Sequence, residues 1–486
     1  MEIKGIKRAH LVGAGGINVS AVGKLLLQAG VEVSGSDVKE NEQTKILAER
    51  GASIAIGHDA KNVPEGCDIL IHTSAAPETN PEREEARRRG IPEMTNFRFL
   101  AEWFADAKTI LVTGTHGKST TTAMLALILE KAGLDPTVIL GSKLPSLPDG
   151  NLRLSTHDPG CMTMRPYFVI EGDEYARHFL EFKPYAALIN NIELDHVDVY
   201  PTLEDYVGAF REMTDKVQDG GVLVANIGDA NTAGLVAAVE SGLAARRIKT
   251  VCFGDAHGHI RPNMPVAGEW GVFFERADGK TELRLKKGDQ EHRFVLRVSG
   301  SHNALNAAGA TLLALEIGVS VEAVYAGLES FTGIWRRMER LGELDGAIVY
   351  SDYAHHPTAV AATLQAAQEA HPGQRLVLCF QPHHRNRTRS LFAEFVPSFD
   401  LADELVLCEI YDVAGRDATE DAEMSSRNLV DAVKERDANK GRARAVEYAP
   451  NPEEAVALAR RLAKPGDVLL VFGAGDIDDE IRKQYP

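Results

Sequence analysis

The sequence predicts an α/β protein built as three consecutive domains, and three observations carry that prediction. Short apolar runs alternate with amphipathic helical segments along the whole chain, the pattern of strands and helices that pack as layers around parallel sheets. Two of the runs end in glycine turns that lead straight into a helix, "VGAGGINVS" and "VTGTHGKST". Others end in polar clusters, "EGDE", "NNIELDH", "SDYAHHP" and "FQPHHRNR", and the carboxyl ends of strands are where open α/β sheets bind ligands. The 486 residues leave room for about three domains of roughly 150 residues each.

The first block, 1–107, opens with "AHLVGAGGINVSAVGKLLLQAGVEVSGSD": a strand, a glycine turn, a helix and a second strand that ends in Asp37. This fits a Rossmann-like βαβ unit. Alternation continues in "CDILIHTSAA" and in the charged helix of "NPEREEARRRG". The second block, 108–332, begins with "KTILVTGTHGKSTTTAMLALILEKAG", a strand, a P-loop-type turn and a helix that stops at Gly133. It runs on through "YFVIEGDE", "YAALINNIELDH" and "GGVLVANIGD" to antiparallel strands near 270–298 and the helix "SHNALNAAGATLLALEIG". The third block, 333–486, interleaves the strands "AIVY", "RLVLCF", "ELVLCEI" and "DVLLVFGAG" with amphipathic helices and reads as a second Rossmann-like unit. A hinge is expected near 332, between the second and third blocks.

Composition narrows the function. With 53 basic and 70 acidic residues the formal charge is −17, which repels a polyanionic backbone yet permits a local basic pocket for one phosphorylated small molecule. Nucleic acid is not an expected partner. The cysteines Cys67, Cys161, Cys252, Cys379 and Cys408 are scattered, with no C-x-x-C pair, and read as reduced core thiols rather than a disulfide framework or zinc cluster. The sequence holds no window of 18 uninterrupted apolar residues and no apolar leader after "MEIKGIKR", so a cytoplasmic protein without membrane partners is expected.

Chemistry concentrates at strand ends. The loop "GTHGKST" is not a Walker A motif, because the glycine that G-x-x-x-x-G-K-[ST] requires is Val112. It nevertheless sets Gly114, Thr115, His116, Gly117, Lys118, Ser119 and Thr120 between a strand and a helix, so that backbone N–H groups and the helix N-terminus can surround an anion. Lys118 can neutralise terminal phosphate charge and the Ser119 hydroxyl can ligate magnesium. Glu171, Asp173 and Glu174 of "EGDE", with Glu193, Asp195, His196 and Asp198 of "NNIELDHVD", are oxygen-rich and suit divalent cations, with His196 marking a second metal position.

Asn303 and Asn306 share a helix face and can read the amino edge of adenine, or cap and decorate the helix. In the last block "WRRMER" brings Arg336 and Arg337 for a phosphate clamp. "SDYAHHP" brings Asp352, Tyr353, His355 and His356, with Asp352 suited to a ribose or substrate contact. The run His383, His384, Arg385, Arg387 and Arg389 offers a carboxylate or phosphate site in an acidic protein. The first glycine turn has Gly13, Gly15 and Gly16 but Asn18 where G-x-G-x-x-G needs its last glycine. That weighs against a nicotinamide cofactor and leaves a nucleoside diphosphate on the turn, with Asp37 near its sugar or base.

Taken as an ordered set, these motifs resemble the Mur ligase family of bacterial cell-wall synthesis over almost the whole chain. The set runs from "GAGGINVS" and "TSAAPETNPE" through "GTHGKSTTTAM", "EGDE", "NNIELDH", "SHNALNAA" and "RRMERLGE" to "DYAHHP", "FQPHHRNRTR" and "FGAGDID". The resemblance implies ATP, two Mg2+ ions and UDP-N-acetylmuramate, with domains that bind the UDP-sugar, the ATP and the incoming amino acid in turn. The amine donor it implies is L-alanine, the alternative being the peptide used by the family's murein tripeptide recycling branch; a monomer or homodimer is expected. By the same resemblance Lys118, Glu171, His196, Arg337 and His355 carry the chemistry, and Ser119, Glu171 and His196 hold metal. The nucleotide would meet residues 114–120, Asn303, Asn306, Arg337 and Asp352. Gly15, Gly16, Ser20, Asp37 and Ser74 would face the UDP portion, and Tyr353, His355, His383 and Arg387 the rest of the substrate. Two departures stand out: His384 occupies a position where the family carries arginine, with Arg385 one place later, and Met338 replaces phenylalanine.

Overall fold

The computed structural model describes residues 5–147, 149–156, 167–197, 199–255, 270–277, 280–412 and 423–485; Cys161 and Asp198 lie outside them. Three sheets follow one another along the chain without sharing strands, in keeping with the α/β class read from the sequence.

The first sheet has strands β1 (Arg8–Val12), β2 (Glu32–Asp37), β3 (Ser53–Ile56), β4 (Ile69–His72) and β5 (Glu93–Thr95) in the order β3-β2-β1-β4-β5, all parallel. The order reverses between β1 and β4, and that switch point opens a crevice beyond the strand ends. The glycine turn follows β1 and Ser74 follows β4, so both rims of the crevice carry residues expected at the UDP portion.

The second sheet contains β6 (Lys108–Thr113), β7 (Thr137–Ile139), β8 (Leu152–Arg153), β9 (Tyr167–Glu171), β10 (Ala186–Ile189), β11 (Val222–Asn226), β12 (Lys249–Asp255), β13 (Trp270–Ala277), β14 (Lys280–Lys287) and β15 (Gln290–Leu296). Their order is β15-β14-β13-β12-β11-β10-β6-β9-β7-β8, with β13, β14 and β15 forming the expected antiparallel edge. β6 therefore sits between β10 and β9. Its helix, Lys118–Lys131, is buried from Ser119 to Leu129 and packs against helices Ser301–Glu316 and Val321–Ser330. Gly327 permits that packing, since a Cβ there would collide with the backbone of Ile128.

The third sheet holds β16 (Glu339–Leu344), β17 (Ala347–Asp352), β18 (Leu376–Gln381), β19 (Glu404–Cys408), β20 (Val446–Ala449) and β21 (Val468–Gly473) in the order β16-β17-β21-β18-β19-β20. Only the β16 pairing is antiparallel.

The first and second sheets share one continuous apolar core. Lys24 adds a polar tie by donating to Gln43 Oε1 (2.9 Å) in the first unit and Asn151 Oδ1 (2.7 Å) in the second. Cys67, Cys252, Cys379 and Cys408 are buried, as expected of core thiols. Among the described residues no helix is long and apolar enough to cross a membrane.

Candidate active site

The position of β6 decides the site. The register sets Val112 beside Glu171 of β9 and Thr113 beside Ile189 of β10, so the acidic loops after β9 and β10 flank the glycine loop on either side. In that loop Gly114 (φ 127°) and Gly117 (φ 81°) adopt backbone conformations open chiefly to glycine. A Cβ on Gly117 would also overlap Asn306 Oδ1 and come 2.9 Å from Asn190 Nδ2. Asn191 pins the loop from the other side: its carbonyl accepts from Thr115 N (3.1 Å) and its Oδ1 from His116 N (2.8 Å). The sequence reading does not single out Asn190 and Asn191; the asparagine doublet before "IELDH" is the signal that points to them.

Beyond Gly117 the first turn of helix Lys118–Lys131, whose N–H groups a helix cannot satisfy internally, lines the cavity with Lys118, Ser119 and Thr120. Lys118 Nζ donates to the carbonyls of Gly114 (2.7 Å) and Thr115 (3.2 Å) and to Glu174 Oε1 (2.9 Å). Burial lowers the Lys118 pKa, but the Glu174 carboxylate more than offsets this and the ammonium is held above its ordinary value. Ser119 Oγ donates to Glu171 Oε2 (2.8 Å), whose other oxygen accepts from Gly141 N (2.7 Å). Burial raises Glu171, and burial with the adjacent Glu174 pushes Asp173 up to about 6.

His196 has φ 54° and places Nε2 3.5 Å from Glu174 Oε1. Burial disfavours its charged form, yet Glu174 and Asp195 prevail and raise its pKa. Its Nδ1 and the second oxygen of Glu174 are buried without partners. A hydroxyl, carboxylate oxygens and an unpartnered imidazole nitrogen around one cavity fit hard divalent cations with one nitrogen-bearing position.

The third sheet covers this cavity of about 530 Å³, lined from all three units by residues that include Asn18, Phe97, Lys118, His196, Arg337 and Tyr353. Asp352 ends β17 and accepts from Met338 N and Ala354 N, both at 2.7 Å, which fixes the turn bearing Arg337. His355 Nδ1 lies 2.9 Å from the Tyr353 carbonyl. Because a carbonyl only accepts, Nδ1 carries the proton and Nε2 is the acceptor nitrogen. Burial and then Arg387 hold His355 well below the usual imidazole value, so it is neutral. Arg387 reaches over the cleft to Asp195.

Residues 115–120, Glu171, His196, Asn303, Asn306, Arg337, Asp352, Tyr353, His355, His383 and Arg387 all line this one cavity. Gly114 lies just behind it, under Lys118 Nζ. At the first sheet, Gly15 N donates to Asp37 Oδ2 (2.8 Å), Gly16 and Ser74 are exposed, and Ser20 is fully buried. The Ser20 hydroxyl is committed to the Ile17 carbonyl and Gln43 Oε1, inside the fold.

Two expectations about arginines need correction. Arg336 is buried, donates to the Gly473 and Gly475 carbonyls and lies 3.6 Å from Asp478, so it braces the third sheet and is no phosphate clamp. Arg385 is spent on Asp412 (2.8 Å) and the Met424 carbonyl. His384, with φ 67° just before helix Arg385–Ser390, stays on the wall of the cavity.

Family models describe the same three units: the Mur ligase family, catalytic domain at residues 8–108, the Mur ligase middle domain at 112–314 and the Mur ligase, glutamate ligase domain at 336–475. The chain belongs to the Mur ligase family. It is 37% identical to the UDP-N-acetylmuramate–L-alanine ligase of Mycolicibacterium paratuberculosis over 97% of this chain and 93% of that protein. Its fold is similar to the UDP-N-acetylmuramate-alanine ligase MurC of Thermotoga maritima, with a TM-score of 0.78 and 28% identity over 98% of this chain and 97% of that one. It also shares its fold with a murein peptide ligase of Psychrobacter arcticus, with a TM-score of 0.69 and 24% identity, each chain being 98% covered. As a member of this family the chain is a ligase.

Proposed function

We propose that this Mur ligase family chain joins L-alanine to the lactyl carboxylate of UDP-N-acetylmuramate at the expense of ATP, releasing ADP and phosphate. The observation that carries the chemistry is the flanking of one glycine loop by acid clusters on both sides, with arginine and histidine closing from the third sheet. The 37% identity to a protein of that activity over 97% of this chain supports the choice of substrate.

In this reading the chain works as three units, 1–107 for the UDP-sugar, 108–332 for ATP and 333–486 for the amino acid. The first-turn amides and Lys118 hold the terminal phosphates of ATP, where positioning and electrostatics supply most of the catalysis. A lactyl oxygen attacks the γ-phosphorus and ADP departs, leaving an acyl phosphate; the neutral amine of alanine then attacks the acyl carbon and phosphate leaves. Ser119, Glu171 and His196 would hold two magnesium ions. Bound there, magnesium supplies positive charge that offsets the repulsion between a carboxylate and a triphosphate. Arg337 faces the transferring phosphoryl group, Arg387 and His383 face a carboxylate, and the acceptor Nε2 of His355 orients the amine by taking a hydrogen bond from it. Closure of the third unit about 332 excludes water from the acyl phosphate.

The second reading, attachment of a murein tripeptide, rests on the shared fold alone. ADP release measured with ATP, Mg2+ and UDP-N-acetylmuramate separates the two when L-alanine, glycine, L-serine and the tripeptide are supplied in turn. Dependence on L-alanine is expected; dependence on the tripeptide overturns the assignment.

A further inference from the structure

Glu193 and His356 have no part in the reaction derived above, and His116 enters it only through its backbone. Yet the three side chains converge where the second and third sheets meet. His116 Nε2 lies 2.9 Å from Glu193 Oε2, His356 Nδ1 lies 3.9 Å from the same oxygen, and one donor atom of each residue is within 4.8 Å of the other two. Ligands about 2.0–2.2 Å from a tetrahedral zinc ion stand about 3.4 Å apart. The two shorter separations bracket that spacing, and modest side-chain adjustment meets it.

His356 supplies an independent observation. It is 2% exposed, and neither ring nitrogen has a hydrogen-bond partner. A buried polar group left unpaired is costly and asks for a ligand. Burial holds His356 down to about 4, so the ring is neutral at ordinary pH. Burial opposes ionisation of Glu193, but the His116 and Thr358 hydrogen bonds with the neighbouring imidazoles bring it to about 2. Both residues are in the deprotonated forms a metal requires. Two imidazoles and one carboxylate suit zinc, whereas magnesium prefers oxygen.

We propose that His116, Glu193 and His356 form a binding site for a zinc-class divalent cation, distinct from the magnesium positions at Ser119, Glu171 and His196. His116 and Glu193 follow β6 and β10, and His356 follows β17. A bound ion therefore staples the second unit to the third. Such a staple opposes the reopening that product release needs, so the cation acts as an inhibitor.

The test titrates metal-stripped full-length protein with Zn2+ against a chromophoric chelator in excess Mg2+, for wild type, His356→Gln, Glu193→Gln and His196→Ala, each checked by thermal melting. The binding readout needs neither nucleotide nor sugar, so it stands apart from the ligase reading. One zinc per chain is expected in wild type and His196→Ala, with affinity lower by about tenfold or more in His356→Gln, as loss of a ligand predicts. Zn2+ should also slow ADP release by wild type by a larger factor than by His356→Gln. If His356→Gln does not fold, Glu193→Gln decides in the same way. Absence of zinc uptake by wild type, or uptake that His196→Ala abolishes and His356→Gln leaves unchanged, overturns the proposal.

Discussion

Arg387 grips Asp195 from two nitrogens, Nε at 3.0 Å and Nη2 at 2.8 Å from the same carboxylate oxygen, across 192 residues of sequence and from one sheet to another. Both side chains are buried. Burial opposes the Asp195 charge, yet the guanidinium prevails and holds the carboxyl well below its usual range. The pair thus acts as a latch between the second and third units, with Thr358 Oγ1 donating to Glu193 Oε1 (2.5 Å) beside it.

Breaking that latch leaves a buried charge without its partner, a loss of about 3–5 kcal/mol for buried pairs in general. Arg387→Ala is expected to lower kcat/KM for ADP release by about 100-fold or more. Arg387→Lys should recover little, because a single ammonium cannot reproduce the planar fork. Steady-state kinetics with circular dichroism as the folding control check this; near-normal kcat/KM in the alanine variant would contradict the latch.

Lys118→Ala should abolish turnover while the chain stays folded. Phosphate-contacting groups of this kind act on the transition state, and their removal costs about 100-fold or more in rate. The same variant leaves the buried Glu174 with only His196 beside it, so a loss of thermal stability accompanies the loss of activity. ADP release and a melting curve measure the two effects separately, and substantial activity would contradict placing the terminal phosphates on this loop.

Gly117→Ala should impair nucleotide binding more than so small a change suggests. The added Cβ meets Asn306 and the residue is forced to keep a left-handed conformation, which costs roughly 1–2 kcal/mol for a non-glycine residue before any clash. Calorimetric titration with ATP is expected to show weakened binding, whereas Gly441→Ala, at another left-handed glycine with no neighbour in the way, should bind ATP as wild type does.

His178 gives a dependence of stability on pH. Its ring stacks on Phe97 at 4.6 Å, Nε2 is buried without a partner, and burial lowers its pKa from 6.5 to about 4. The unfolded chain therefore takes up this proton at higher pH than the folded one. The contribution of this group is complete above about 6.5 and is lost as pH falls towards 4. Melting temperatures between pH 7 and 4 should fall less steeply in His178→Phe, which keeps the stack and removes the proton site; equal slopes would refute the assignment.

Much of this architecture was legible without coordinates, because periodicity and turn chemistry are set by neighbours in sequence. The run into Gly114, the helix closed at Gly133, the acidic clusters at strand ends and the antiparallel edge near 270–298 all declare themselves locally. The residues expected to hold nucleotide and metal were legible for the same reason: a lysine and serine after a glycine turn, or carboxylates after an apolar strand, carry their chemistry in their spacing.

What each charged group faces is a different matter. Arg336, Arg385 and Arg387 sit in similar basic runs, yet the first braces Gly473 and Asp478, the second serves Asp412, and only the third reaches Asp195. Nothing local separates them. Sequence alone determined the elements, their type and the chemical groups at their ends, since those depend on dihedral preference and short-range hydrogen bonding. Only the tertiary structure decided that β9 and β10 flank β6 and that the third sheet closes over the loop. Strand order and domain closure arise from contacts between residues far apart in the chain, and it is those contacts that choose a partner for every charge.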